Sequence, residues 1–171
     1  MPRRYRRRIV NKDKYSIEQT ILATPPSDNW NTIPGNAEAE TQDSRQYSVA
    51  ILPPSDLQGM RKIKHLTFTV SNNGTNDSSF PQLLYAIVYV PQGYTPQTIN
   101  YPIPGGATSL YEANQYVMSS GVLDFSGGPL RIKSPLSRNL NSGDSIYIIF
   151  ATSVTNGVSL TAEVKYAITL Q

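Results

Sequence analysis

The chain has no cysteine and a single histidine, His65. The first absence excludes a disulfide framework, thiol catalysis and thiolate metal sites. The second excludes metal centres built on two or three histidines. Charged residues are sparse, at 16% of the chain. No apolar run reaches the roughly 18 residues a membrane helix needs, so no membrane insertion is expected. The basic start is not followed by the apolar core of a secretory leader. Ile9-Val10 is cut off by Asn11, Lys12, Asp13 and Lys14, and Ile21-Leu22-Ala23 is too short. The expectation is a chain made and kept in the cytosol or nucleus. On that expectation the two sequons, Asn73-Gly74-Thr75 and Asn76-Asp77-Ser78, read as a polar loop. No repeat of fixed period is present.

What remains suits one domain. Of 171 residues, 39% are hydrophobic, enough to bury a sizeable core. The net charge of +3 conceals an asymmetry. Residues 1–14 carry seven basic side chains against Asp13, a net +6, whereas residues 15–171 carry eight basic and eleven acidic ones, a net −3. The reading is therefore a basic arm, 1–14, joined to a mildly acidic folded body, 15–171. Like charges packed this closely repel one another and favour a polyanion or a nuclear import receptor as partner.

Within the arm, Arg3, Arg4, Arg6, Arg7 and Arg8 place five guanidinium groups in six residues, with Lys12 and Lys14 behind them. Guanidinium meets phosphate oxygens in a bidentate fashion and stays charged at every relevant pH. Tyr5 adds a ring on which a base can stack. These eight residues are the candidate nucleic-acid-binding set. Such binding follows the backbone, ignores base sequence and weakens steeply with salt.

The body has the periodicity of strands. Leu160, Ala162, Val164, Tyr166, Ile168 and Leu170 alternate with polar residues, Ala167 excepted, which predicts a long strand with one buried face. Tyr15–Thr24 repeats the pattern, with Tyr15, Ile17, Ile21 and Ala23 expected inside. Tyr47, Val49 and Ile51 form a shorter run, and Leu66, Phe68 and Val70 share a face opposite His65, Thr67 and Thr69. Leu83–Val90 and Ser145–Thr152 are apolar on both sides, which implies a cover on both sides. Shorter strands fit Gln115–Ser119, Gly121–Phe125 and Leu130–Lys133. Asn156-Gly157 is the strongest hairpin signal. Thr108–Gln115 has the pattern of one or two helical turns, and Asn29–Ser44 and Gln92–Ser109 read as long loops. The count of eight or nine strands leaves a sandwich or a barrel; an all-β, eight-stranded antiparallel jelly-roll sandwich behind a short basic arm is the expected fold.

Catalytic chemistry finds no constellation. His65 sits mid-strand and no G-x-S-x-G motif surrounds any serine. Asp43, Asp56, Asp77, Asp124 and Asp144 all lie beside turn residues, where aspartate serves the backbone. Neither a calcium loop nor a phosphate loop is present. No enzyme activity or cofactor is expected, and no metal site within the subunit; a calcium ion between subunits stays open.

Three segments carry a resemblance. Met60–Val70 resembles the basic-then-alternating third-strand region of circovirus-type coat proteins, and Gly121–Phe125 and Pro129–Tyr147 look like coat proteins of small circular Rep-encoding single-stranded DNA viruses. The run Leu136-Ser137-Arg138-Asn139-Leu140-Asn141-Ser142-Gly143-Asp144 is its most specific part. The resemblance is continuous over about 60–170 and weaker over 25–59. It implies a jelly-roll subunit assembling into a T=1 icosahedral shell of about 60 copies around circular single-stranded DNA. The arm would then face the interior and carry the subunit to a host nuclear import receptor; the resemblance transfers no host cell-surface receptor. Sixty arms of about six net charges would neutralise on the order of 360 phosphates. This arm is shorter than a typical circovirus arm, so other charge must supply the rest. Arg61, Lys62 and Lys64 fit either an addition to that inner lining or a solvated strand end. Tyr94, Tyr101, Tyr111 and Tyr116 suit subunit contacts. The alternatives are a nucleic-acid-binding β-sandwich that forms no shell and a secreted jelly-roll ligand or carbohydrate-binding module; the expected lack of a secretory leader and the Arg arm weigh against the second.

Overall fold

The structure is a computed structural model that describes residues 15–33, 44–73, 83–99, 115–124, 128–134, 137–152 and 158–170. These residues form ten strands: β1 (Ser16–Ala23), β2 (Asn31–Ile33), β3 (Ser44–Leu52), β4 (Arg61–Asn72), β5 (Leu83–Val90), β6 (Tyr116–Leu123), β7 (Leu130–Ser134), β8 (Arg138–Leu140), β9 (Ser145–Thr152) and β10 (Leu160–Leu170). A single 3-10 turn, Ser27–Asn29, is the one helical element among them. All pairing is antiparallel, in two five-stranded sheets. Sheet A runs β1-β10-β4-β7, with β8 beside β7 on the free edge of β4; sheet B runs β2-β3-β9-β5-β6. The chain crosses between sheets at six of the nine connections between these strands, and the orders 1-10-4-7 and 3-9-5-6 are those of a jelly roll.

The count is ten rather than eight for two reasons. Asn31–Ile33, inside the expected loop, pairs with the edge of β3, and Leu130–Leu140 contributes two short strands to one edge of β4. The expected strands Gln115–Ser119 and Gly121–Phe125 are instead one, β6, with a register shift opposite Ile87/Val88. The expected hairpin at Asn156-Gly157 is overturned. Its flanking strands, β9 and β10, lie in different sheets and do not pair. Residues 153–157 lie outside the described residues, as do 108–114 of the expected helical turns, most of the sequon loop and the arm, 1–14.

The main core lies between the sheets. Phe68, Val70, Leu83, Ile87, Ile146, Ile148, Phe150, Leu160 and Val164 are buried there, and the Trp30 indole closes one end against Tyr47 and Phe150. The Trp30 ring N–H donates to the Pro25 carbonyl at 2.8 Å, so its polar atom is satisfied. Burying such side chains contributes about 1.5–3 kcal/mol each, the dominant favourable term.

A second core covers the outer face of sheet B, as the two-sided apolar pattern of β5 and β9 requires. Ala86, Val88, Val90, Ile149 and Ala151 pack there under Ile99. Two buried glutamines hold this covering segment by its backbone. Gln46 Oε1 accepts from Ile99 N at 2.9 Å and Gln115 Oε1 from Gln97 N at 3.0 Å.

The expectation for β1 is corrected. Ile17 and Ile21 are 81% and 69% exposed. The register sets Leu22 opposite Ala162 and Thr20 opposite Val164, so the even residues face the core and Ile17 and Ile21 face outward. β1 pairs on one side only, and an edge strand with a single apolar inner residue cannot be phased from its own pattern.

β4 changes phase midway. Arg61 and Ile63 face inward, then Leu66, Phe68 and Val70 do. Two residues, His65 and Leu66, stand opposite the single Tyr166, because Lys64 pairs with Ala167 and Thr67 with Lys165. His65 adopts φ 54°, the left-handed conformation that lets a bulge absorb the extra residue. His65→Val is therefore expected to destabilise the fold by about 1–2 kcal/mol, whereas His65→Gly is expected to be neutral or mildly stabilising. Paired urea melts check the opposite signs.

Gly121 has a different constraint. A Cβ there would sit 2.9 Å from Cε1 of the buried Tyr85, its direct cross-strand partner. Gly121→Ala is expected to cost roughly 1–3 kcal/mol through displacement of that ring, read as a lower urea midpoint at unchanged slope.

Candidate nucleic-acid interface

Arg3, Arg4, Tyr5, Arg6, Arg7, Arg8, Lys12 and Lys14 all lie outside the described residues. The first described residue is Tyr15. Tyr15 immediately precedes β1, and Lys64 Nζ stands 4.6 Å from the centre of its ring. This cation–π contact places Tyr15 at the Lys62–Lys64 end of sheet A.

The register then defines what surrounds that end. Directly opposed residues of an antiparallel pair share a face. One outer row of sheet A reads Lys133, Thr67, Lys165, Gln19 across β7, β4, β10 and β1. The next reads Arg131, Thr69, Glu163, Ile21. Beyond the bulge, Lys64 lies beside Ala167 and Ile17, and Lys62 beside Asn139. Among the described residues the outer face thus holds Lys62, Lys64, Arg131, Lys133 and Lys165 against one carboxylate, Glu163. Among the described residues it gathers five of the eight basic side chains and one of the six acidic ones. Lys165 Nζ bridges to Glu163 Oε1 at 2.8 Å, and the Gln19 amide donates to the same oxygen at 2.7 Å, so the lone carboxylate is engaged. The outer face of sheet B offers the opposite: Gln46, Ser48, Ala50, Tyr147, Ile149, Ala151, the even residues of β5, Val117, Ser120 and Val122, with no charge among them.

Of the three body cations read from the sequence, Lys62 and Lys64 belong to this face and Arg61 does not. Arg61 is 7% exposed; its guanidinium donates to the Asp144 carbonyl at 2.9 Å and the Pro53 carbonyl at 3.4 Å. It faces inward because it lies two residues before Ile63, in phase with the core. The alternation of β10 marks Lys165, with Glu163, as an outer-face residue suited to a surface or polar interface, whereas nothing in the sequence marks Arg131 and Lys133. Each sits at an ordinary exposed strand position, and only the register brings them beside Lys62 and Lys64.

The most specific run of the resemblance proves to be a structural clamp. Asp144 is buried, and its carboxylate accepts from the Tyr89 hydroxyl at 2.8 Å, Asn141 N at 2.8 Å and Gln92 N at 3.1 Å. Gly143, at φ +79°, turns the chain so that its N–H reaches the Ser55 carbonyl at 2.9 Å. Burial, then the bond to Asp144, raises the Tyr89 hydroxyl pKa above its ordinary value, so the phenol stays neutral and donating at physiological pH. Arg138 lies over the Tyr89 ring at 4.2 Å and near Tyr116 at 5.4 Å, beside a cavity of about 470 Å³ lined by Lys62, Ser137, Asn139 and Asn141. Tyr94 and Tyr116 are each about half exposed, whereas Tyr101 and Tyr111 lie outside the described residues. Among the described residues no group of three His, Asp or Glu side chains is placed to hold a metal ion, and no helix is long and apolar enough to cross a membrane.

No family model matches the chain, and no curated protein matches it. Solved structures give distant similarity. A structure of the infectious bursal disease virus Gt strain aligns at 10% identity and a TM-score of 0.40, over 92% of this chain and 32% of that one. The VP1 protein of trichodysplasia spinulosa-associated polyomavirus, solved in complex with the GM1 oligosaccharide, aligns at 6% identity and a TM-score of 0.32, over 91% and 96%. The chain therefore spans about a third of the bursal disease virus chain. Both values lie below the similarity of a shared fold, so the functional reading rests on the chain's own residues.

Proposed function

We propose that the chain is a viral coat protein subunit that assembles into a small icosahedral shell and packages circular single-stranded DNA through its Arg-rich arm. The observation that carries this reading is the junction itself: a segment with five arginines in six residues is tethered at Tyr15, against Lys64, to a jelly-roll sandwich with a basic outer face. The resemblance of 60–170 to circovirus-type coat proteins supplies the genome type, a T=1 shell of about 60 copies, residence in the virion, and passage through the host nucleus by way of the arm. The role is structural rather than catalytic.

Self-association has its own support. β1 and β6 are free edges of their sheets, and both expose apolar side chains: Ile17 and Ile21 on β1, Tyr116, Val117 and Val122 on β6. Free edges carrying apolar residues are surfaces that a monomer usually blunts and an assembly covers. Negative-stain microscopy of purified protein is expected to show uniform particles of roughly 20 nm. A monodisperse monomer at every salt and pH tested would leave the second reading, a nucleic-acid-binding sandwich without a shell.

A further inference from the structure

We propose that the outer face of sheet A is a second, arm-independent contact surface for single-stranded nucleic acid. The subunit is then oriented with sheet A toward the packaged genome and the uncharged face of sheet B away from it. The inference rests on the coat-protein reading for the identity of the polyanion, but its geometry comes from the strand register alone.

Four observations converge. Among the described residues of the body, eight are basic and six acidic, and this one face carries five of those cations with one carboxylate, so the strand pairing concentrates the positive charge here. Successive same-face residues of a strand lie about 6.8 Å apart and neighbouring strands about 4.8 Å apart. Lys62 with Lys64 on β4 and Arg131 with Lys133 on β7 therefore form two short cationic columns within a surface roughly 10 Å wide and 20 Å long. Adjacent members lie within one Debye length, about 8 Å at physiological salt, so their fields add. Lys133, Arg131 and Lys165 are exposed, and the intervening Thr67 and Thr69 offer hydroxyls but no opposing charge. Finally, Tyr15, the residue that follows the arm, contacts Lys64 of this face. A strand of nucleic acid held by the arm is thereby delivered onto the sheet, and the sheet supplies charge that the short arm lacks.

The test uses full-length protein. In one variant the five arm arginines, Arg3, Arg4, Arg6, Arg7 and Arg8, become glutamine. In another, K62Q, K64Q, R131Q and K133Q remove the face. A third combines both sets, and a fourth retains the face charge as K62R, K64R, R131K and K133R. Fluorescence anisotropy with a labelled 30-residue oligo-dT is read from 50 to 200 mM NaCl. The arm variant is expected to bind more weakly than the parent but measurably at 50 mM NaCl, and the combined variant to lose binding. Removal of the face alone is expected to make the log–log salt slope shallower by about 2.8, at roughly 0.7 per phosphate contact for four charges. The charge-retaining variant is expected to match the parent, which separates loss of charge from loss of folding. An arm variant with no affinity at 50 mM NaCl, or a face variant with the parental slope, would overturn the proposal. So would a face variant that loses binding to heparin or to vesicles containing phosphatidylserine while keeping oligo-dT. Particle formation, scored by microscopy on the same samples, reports on the coat-protein reading separately.

Discussion

Replacing Asp144 with alanine is expected to lower the unfolding free energy by roughly 3–5 kcal/mol, a larger loss than at His65 or Gly121. Three donors lose their shared acceptor at once: the Tyr89 hydroxyl, Asn141 N and Gln92 N. The Tyr89 bond is buried and the two backbone bonds are half-buried; a hydrogen bond to a charged group contributes about 1.5–3 kcal/mol, and a stranded buried donor costs about 1–3 kcal/mol. The carboxylate joins the turn before β9 to the ends of β5 and the segment after it, so its loss also loosens one end of the sandwich. For a chain of this size the melting temperature is expected to fall by about 8–15 °C. Tyr89→Phe removes one of the three bonds and is expected to cost only about 1 kcal/mol. Equal losses for the two variants, measured by urea denaturation of unassembled protein, would show that Asp144 does not act as the shared acceptor.

The second large effect concerns the arm. Neutralising Arg3, Arg4, Arg6, Arg7 and Arg8 as glutamine is expected to leave folding unchanged, because every core residue described lies between 22 and 168. Affinity for single-stranded DNA is expected to drop steeply. Removal of five contacts makes the salt slope shallower by about 3.5, which over a fourfold change of salt corresponds to a difference of roughly 100-fold in how binding decays. Particles assembled from this variant are expected to carry much less nucleic acid, read as a lower ratio of absorbance at 260 to 280 nm. An unchanged ratio would assign genome retention to the body alone and reject the arm's role.

The two-sided apolar runs of β5 and β9 were legible as strands needing two covers, and the structure provides them: the opposite sheet on one side, the segment ending at Ile99 on the other. The strict alternation of β10 was equally legible, since Leu160, Ala162, Val164 and Tyr166 are all buried. β1 was not. Its apolar residues at 17 and 21 mimic an inner face, and pairing with β10 turns them outward. Nor did Asn156-Gly157 reveal its strands' partners. Alternation records which side of a strand is buried, never which strand lies next to it. The phase break between Ile63 and Leu66 was visible in the residues, but that His65 would take a left-handed conformation to absorb it required the neighbouring strand.

Composition and local pattern by themselves determined an all-β body, a net charge of +6 over the first fourteen residues and the absence of cysteine and multi-histidine chemistry, because charge, residue type and period two are properties of neighbours along the chain. The basic face belongs to the tertiary structure. Lys62, Lys64, Arg131, Lys133 and Lys165 are scattered over a hundred residues, and only the register of β10, β4 and β7 sets them side by side. The same pairing buried Arg61, one position from Lys62, since adjacent residues of a strand point to opposite sides of the sheet.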